Sequence, residues 1–270
     1  MKSATLPDLQ SQSDARRVAL DRVGVTGLYC PLVIRQKDRG TQTVTARIDL
    51  AVGLHEGQRG AHLSRLVEAL DVYRDRLFSM DDVVALVRDV RTRQDQDGLP
   101  FERADIQIRF KYFLQKAAPS SGLNALVPYD CGFDVTLDGP GHKSVIAVVP
   151  VSTVCPCSLE ISDLGAHNQR AEVTVQLWQS LQDDRFLWLE DIIALAGDCA
   201  SAEVHSLLKR QDEKAVTERM FRAPKFVEDI VREVVVRLRH DVGGVRYHVR
   251  CESQESIHPH NAYAEADGVC

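Results

Sequence analysis

Apolar and polar residues alternate in two stretches of the first half. Val44, Ala46, Ile48, Leu50 and Val52 interleave with Thr45, Arg47, Asp49 and Ala51. Ile106, Ile108, Phe110, Tyr112 and Leu114 interleave with Gln107, Arg109, Lys111 and Phe113. A period of two with one wet face predicts antiparallel strands. Between them the spacing becomes helical, through Leu63, Leu66, Val67, Leu70, Tyr73 and Leu77, and again through Val83, Leu86 and Val90.

The second half repeats that order. Val145 to Val154 is a nearly continuous apolar run, as in a buried strand, and Val173, Val175 and Leu177 alternate. Helical spacing follows through Trp188, Ile192, Leu195 and Cys199, then through Val204, Leu207 and Leu208. Pro224 reads as a helix start. The stripe after it is Val227, Ile230, Val231, Val234, Val235 and Leu238, ended by Gly243 and Gly244. Val245, Tyr247, Val249 and Cys251 make a last strand. Each half is therefore strands, helices, strands, the α+β layering. The expected organisation is a flexible arm over residues 1–20 and two modules, 21–140 and 141–270.

The totals restrict the function classes. The chain has 270 residues, 44% hydrophobic and 27% charged, with a formal net charge of -6. No basic excess exists to grip nucleic acid, so an anionic substrate would need a local cationic pocket. No apolar run reaches the length of a membrane helix, and the polar N-terminus lacks a signal-peptide core. Seven irregularly spaced cysteines do not make a disulfide framework, which points to reduced thiols and a cytoplasmic chain.

Familiar nucleotide loops are missing. Asp138 to Ser144 carries Gly, Pro and Lys, but His142 stands where a phosphate loop needs Gly, and a strand follows instead of a helix. A hairpin turn is the better reading. No Gly-x-Gly-x-x-Gly follows a strand and no Cys-x-x-Cys pair occurs.

Three constellations could carry chemistry. Cys155-Pro-Cys157-Ser158 closes the buried strand, with His167 twelve residues on. A thiol at a strand end is a soft ligand or a nucleophile; the plainer alternative is a buried Cys pair beside a surface His. His258-Pro-His260 places two imidazoles on one side of an extended chain, or belongs to a frayed tail. Glu228 lies along the apolar stripe, either paired with Arg232 at i+4 or aimed at a ligand. Cys, His and carboxylate together suit Zn²⁺ and related divalent ions. Leu207 to Lys214 reads as a charged helix.

Read as sequence, these segments resemble one family. Val149 to Arg170 (VPVSTVCPCSLEISDLGAHNQR) resembles the signature of the type IB GTP cyclohydrolases, supported by Leu207–Glu218, Phe226–Asp229 and Glu255–His260. Gly60–Arg65 is similar to the family's Gly-Thr-His-Met-Ser-Arg, departing at Ala61 and Leu63. The resemblance covers roughly residues 20 to 265. It implies a bimodular tunnelling fold, with antiparallel sheets and paired helices on one face. It also implies a barrel completed by oligomerisation, a homotetramer with active sites between subunits, and GTP as substrate. The catalytic pair would be Cys155 and His167, which with Glu213 and His258 would hold a divalent metal, Zn²⁺, Mn²⁺ or Mg²⁺. Glu203, His248 and His260 compete for the last two ligand places. Glu228 would anchor guanine, because one carboxylate accepts from both N1–H and N2–H. Lys209, Arg210, His62 and Arg65 are candidates for the triphosphate. A tunnelling-fold nitrile reductase dependent on NADPH, and a non-catalytic metal- or pterin-binding relative, are the alternatives.

Overall fold

The computed structural model describes residues 8–74, 77–94 and 101–270. The chain divides into two compact units. The first holds residues 1–110, 133–143 and 180–183, and the second holds 111–132, 144–179 and 184–270. These differ from the contiguous modules expected at 21–140 and 141–270. The reason is strand length: β4 (Ala104–Ala117) and β5 (Asn124–Leu137) each contribute one end to one unit and the other end to the other.

In the first unit β1 (Leu20–Gln36) and β2 (Gly40–Leu54) form a long antiparallel hairpin with Cys30 opposite Ala46. The alternation in β2 is realised as expected, with Val44, Ala46, Ile48, Leu50 and Val52 all buried. β4 pairs with the far edge of β2, Ile108 opposite Ile48. The two-residue β3 (Leu77–Phe78) runs parallel to β1. Helix α1 (Ser64–Asp71) packs on α2 (Met80–Gln94). The helical stripe expected through Leu77 stops early. Tyr73 N–H and Arg74 N–H bond to the carbonyls of Leu70 and Asp71, three residues back, which tightens and ends the turn before β3. The side chain of Leu77 lies outside the described residues.

The expected flexible arm is also corrected where it is described. Met1–Pro7 lies outside the described residues, but Ser13 bridges Gln58 and Asp14 N–H donates to the Gly57 carbonyl. β1 itself begins at Leu20.

In the second unit the strand order is β4, β5, β6 (His142–Val154), β7 (Asn168–Ser180), β9 (Arg246–Ser253), β10 (Ala262–Val269). The short β8 (Ala202–Glu203) pairs with β6. Asp138 to Gly141 is the β5–β6 turn, Gly141 N–H bonding back to the Asp138 carbonyl at 3.0 Å. Gly139 and Gly141 hold φ of 55° and 66°, a region that explains glycine at both places. Helices α3 (Pro156–Ile161), α4 (Leu189–Asp198), α5 (Arg210–Arg222) and α6 (Val227–Asp241) complete the unit.

The apolar stripe of α6 is buried at all six expected positions. α6 packs against β9 and β10, and Tyr247, Val249 and Cys251 of β9 are buried with it. Fully burying a side chain such as Ile230 or Leu238 contributes about 1.5–3 kcal/mol. The helix expected through Val204, Leu207 and Leu208 is absent. Ala202 and Glu203 pair with Ser152 and Val151 of β6, and Lys209 caps the next helix, so the segment between forms no helix and bends at Ser206. Among the described residues no helix is long and apolar enough to cross a membrane.

Candidate active site

A cavity of about 300 Å³ opens in the second unit, where the end of β6, the start of β7, the first turn of α6 and the segment after β9 converge. Cys155, His167, Gln169, Lys225, Glu228, Glu255, His258 and His260 are the polar side chains on its wall that matter most for chemistry.

Cys155 and His167 are brought together by backbone bonds. Cys155 leaves β6 with an extended backbone and caps α3, its sulfur accepting from Ser158 N–H at 3.4 Å. Pro156 at the first helical position fits there because its missing N–H has no helical partner to lose. Twelve residues later His167 N–H donates to Ser158 Oγ at 3.2 Å, and Cys155 N–H donates to the His167 carbonyl at 3.2 Å. Both residues are half-buried and line the cavity.

Glu228 lies on the first turn of α6. Arg232, its expected i+4 partner, lies 3.4 Å from Asp229 instead. Asp229 also accepts from Phe226 N–H at 3.1 Å and so caps the helix. The Glu228 carboxylate has no hydrogen bond or ion pair among the described residues and faces the cavity. It acts on its surroundings through charge: burial first, then Glu228, pushes the Cys251 thiol up to about 12, which removes that cysteine as a reactive group.

His258 and His260 both line the cavity, but on a bend and not on an extended strand. Their rings stack at 5.1 Å with 11° between planes. The tail beyond is ordered as β10, so the frayed-tail alternative fails.

The other expected ligands and phosphate contacts lie elsewhere. Glu213 is exposed on α5 and is not on the cavity wall. Glu203 forms an ion pair with Lys116. His248 pairs with Asp267 at 3.0 Å beside Trp178 and Arg246. Lys209 and Arg210 are exposed at the start of α5. His62 and Arg65 belong to the first unit, where His62 meets Ser11 Oγ at 3.2 Å and Arg65 donates to the Arg93 carbonyl. None of these lines the cavity.

Sequence reasoning passed over Gln169, Lys225 and Glu255. Lys225 is the cavity's cation; its ammonium bonds the Cys199 carbonyl at 3.0 Å and pairs with Glu233. Glu255 accepts from Gln169 at 3.2 Å and lies 3.9 Å from His167 Nδ1. All three stand inside or beside the motifs already singled out, and only their side-chain directions were missing.

The donor chemistry fits a divalent metal. A thiol sulfur, imidazole nitrogens and a carboxylate on one wall are what Zn²⁺ accepts. Among the described residues no three such groups are gathered into a ready ligand shell.

Comparison with known proteins identifies the chain's relatives. The profile of the type I GTP cyclohydrolase folE2 family matches residues 6–264. The GTP cyclohydrolase FolE2 of Syntrophus aciditrophicus is 44% identical over 258 residues, covering 95% of this chain and 97% of that protein. That of Desulfovibrio desulfuricans is 44% identical, with 97% of each covered. That of Magnetococcus marinus is 41% identical, with 99% and 98% covered. Among solved structures, uricase from Arthrobacter globiformis matches with a TM-score of 0.49 at 10% identity, covering 92% of this chain and 93% of that one. With the Cys155–His167 pair set in the motif that first suggested it, and near-complete matches to these enzymes, the chain belongs to the type I GTP cyclohydrolase FolE2 family.

Proposed function

We propose that this GTP cyclohydrolase, an enzyme of the first step of folate biosynthesis, binds the guanine of GTP in the cavity and opens its imidazole ring at C8. The products are 7,8-dihydroneopterin triphosphate and formate. One observation carries the reading: Cys155, His167, His258 and an unpartnered Glu228 carboxylate line the same cavity.

Glu228 takes guanine by accepting from N1–H and N2–H, two charge-assisted bonds that a paired carboxylate could not offer. The ring then lies with C8 toward Cys155 and His167. Cys155, His167, His258 and Glu213 would hold a divalent metal, Zn²⁺, Mn²⁺ or Mg²⁺. When bound, such an ion would supply an acidified water near C8. Protonation of guanine N7 makes C8 more electrophilic, and it falls to a cavity imidazole, either His167 or one of the His258–His260 pair. Lys225, the cation on the wall, adds to Lys209, Arg210, His62 and Arg65 as a candidate for the triphosphate.

Glu213, exposed on α5 and off the wall, fits this scheme by serving the cavity of another copy. A homotetramer with shared sites and a barrel completed by assembly is the arrangement we propose. Tyr263, on the wall and 58% exposed, and Ile257 at 60% are apolar surfaces beside the cavity that such a copy would cover. We assign the reaction to the cytoplasm, where nucleoside triphosphates are available.

The test is the fluorescence of oxidised neopterin after metal-loaded protein meets GTP, beside Cys155→Ala. Product from the wild type and none above background from the variant is expected. No product from wild type with zinc, manganese or magnesium, in intact oligomer, would overturn the reading.

A further inference from the structure

A polar relay lies behind His167. Ser253 Oγ donates to Glu255 Oε1 at 2.5 Å. Gln169 Nε2 is 3.2 Å from the same oxygen. The other end of that amide, Gln169 Oε1, is 3.0 Å from His167 Nδ1. Glu255 Oε2 itself stays 3.9 Å from Nδ1, too far for a hydrogen bond, so the carboxylate reaches the ring through the amide.

The chemistry of these groups fixes every proton in the chain. A carboxylate only accepts, so the Gln169 NH₂ must face Glu255. The Gln169 carbonyl then faces His167, and it too only accepts. Nδ1 must therefore carry the hydrogen, and a neutral imidazole has one N–H. Nε2 is left as a lone pair. Turning the Gln169 amide over would set its carbonyl against a carboxylate, so Glu255 locks the amide as the amide locks the ring.

We infer that Gln169 is a positioning residue that carries the polarity of Glu255 to His167 and holds the ring with Nε2 as an acceptor. The inference rests on the cavity being the reaction site and deepens it. In that state His167 can ligate a metal or take a proton, but it has no Nε2 proton to give. Guanine N7 then takes its proton from a group other than His167, His260 being the cavity imidazole not assigned to the metal. Partners of this kind behind a ligating histidine orient the ring and set its tautomer.

The test uses the full chain, metal-free and labelled with ¹³C and ¹⁵N in histidine, at a pH where His167 is neutral. Its signals are assigned by their loss in His167→Asn, and ring carbon and nitrogen shifts report the tautomer. The wild type is expected as Nδ1–H. Gln169→Leu should move the population toward Nε2–H and weaken Mn²⁺ binding by about 10–100-fold. Glu255→Gln, which frees the amide to turn, should give a mixture. An Nε2–H wild type, or an Nδ1–H ring unmoved in both variants, would overturn the inference. If Gln169→Leu fails to fold, the wild-type and Glu255→Gln spectra decide it. A wild type that makes no neopterin would sink the functional reading while leaving the tautomer result to stand separately.

Discussion

Asp212 and Glu228 are acids on the first turns of consecutive helices, and they use their charge in opposite ways. Asp212 is fully buried and accepts from Lys209 N–H at 2.9 Å, Ser120 N–H at 2.8 Å, Ser121 N–H at 2.7 Å and Ser121 Oγ at 2.7 Å. Burial opposes its ionisation, but the bonds from Lys209, Ser121 and Ser120 together outweigh it and hold the carboxyl well below the usual range. Glu228 has no such partner. The difference is one of helical position. Asp212 and Asp229 both sit third in their helices and both bond the backbone N–H before the first turn. Glu228 sits second, is not needed as a cap, and is left for the cavity. An acid's neighbours in the helix thus decide whether it serves the fold or a ligand.

Four expectations sharpen or break this contrast. Replacing Glu228 by Ala has the largest effect on function. Two hydrogen bonds to a charged acceptor at about 1.5–3 kcal/mol each amount to roughly 10²–10⁴ in kcat/KM for GTP, while the melting temperature stays near wild type. A large fall in stability instead would mean that Glu228 is structural. Replacing Asp212 by Ala strands the buried N–H groups of Ser120, Ser121 and Lys209. Its melting temperature should fall by several degrees, with GTP turnover per folded molecule less affected than in Glu228→Ala.

The pH dependence follows in sign from the same carboxylate. A folded-state value held below the ordinary 3.8 contributes stability above that pH, lost as pH falls through and below it. Denaturant titrations of wild type between about pH 5 and 2 should show a loss that Asp212→Asn shows less of; equal losses would remove Asp212 as the cause. The smallest effect is expected from Arg232→Ala, whose exposed contact to Asp229 is a single 3.4 Å approach. Stability within about 0.5 kcal/mol and unchanged turnover are expected. A loss of activity would restore the Arg232–Glu228 pair that the sequence spacing suggested.

Periodicity made most of the central elements legible. β2, β4, β7, β9 and α6 carry a clean one-face pattern, because each buries one side against a core, and β6 shows instead the nearly continuous apolar run of a buried strand. β10 escaped because Ala262 to Val269 offers mainly Ala, Gly and acids, with no apolar row, as suits an outermost strand. Val204, Leu207 and Leu208 misled because three apolar residues at helical spacing say nothing about a competing strand pair at Ala202–Glu203. Cys155, His167, Glu228 and His258 could be named from motif resemblance, and they share a wall. The relay behind His167 could not, because a Gln between Asn168 and Arg170 has no pattern, only a direction.

The 3.2 Å bond from Cys155 N–H to the His167 carbonyl turns the stretch between them into a ring tied at its neck. What happens at the neck is insulated from what happens at the far side. Leu164 is fully exposed there, so lengthening the ring beside it is expected to leave sulfur and imidazole in place as long as the Ser158 bonds hold. Each doubling of such a loop costs about 0.6 kcal/mol. The pair proposed to do the chemistry is therefore tied at the neck of a stretch whose far side is exposed.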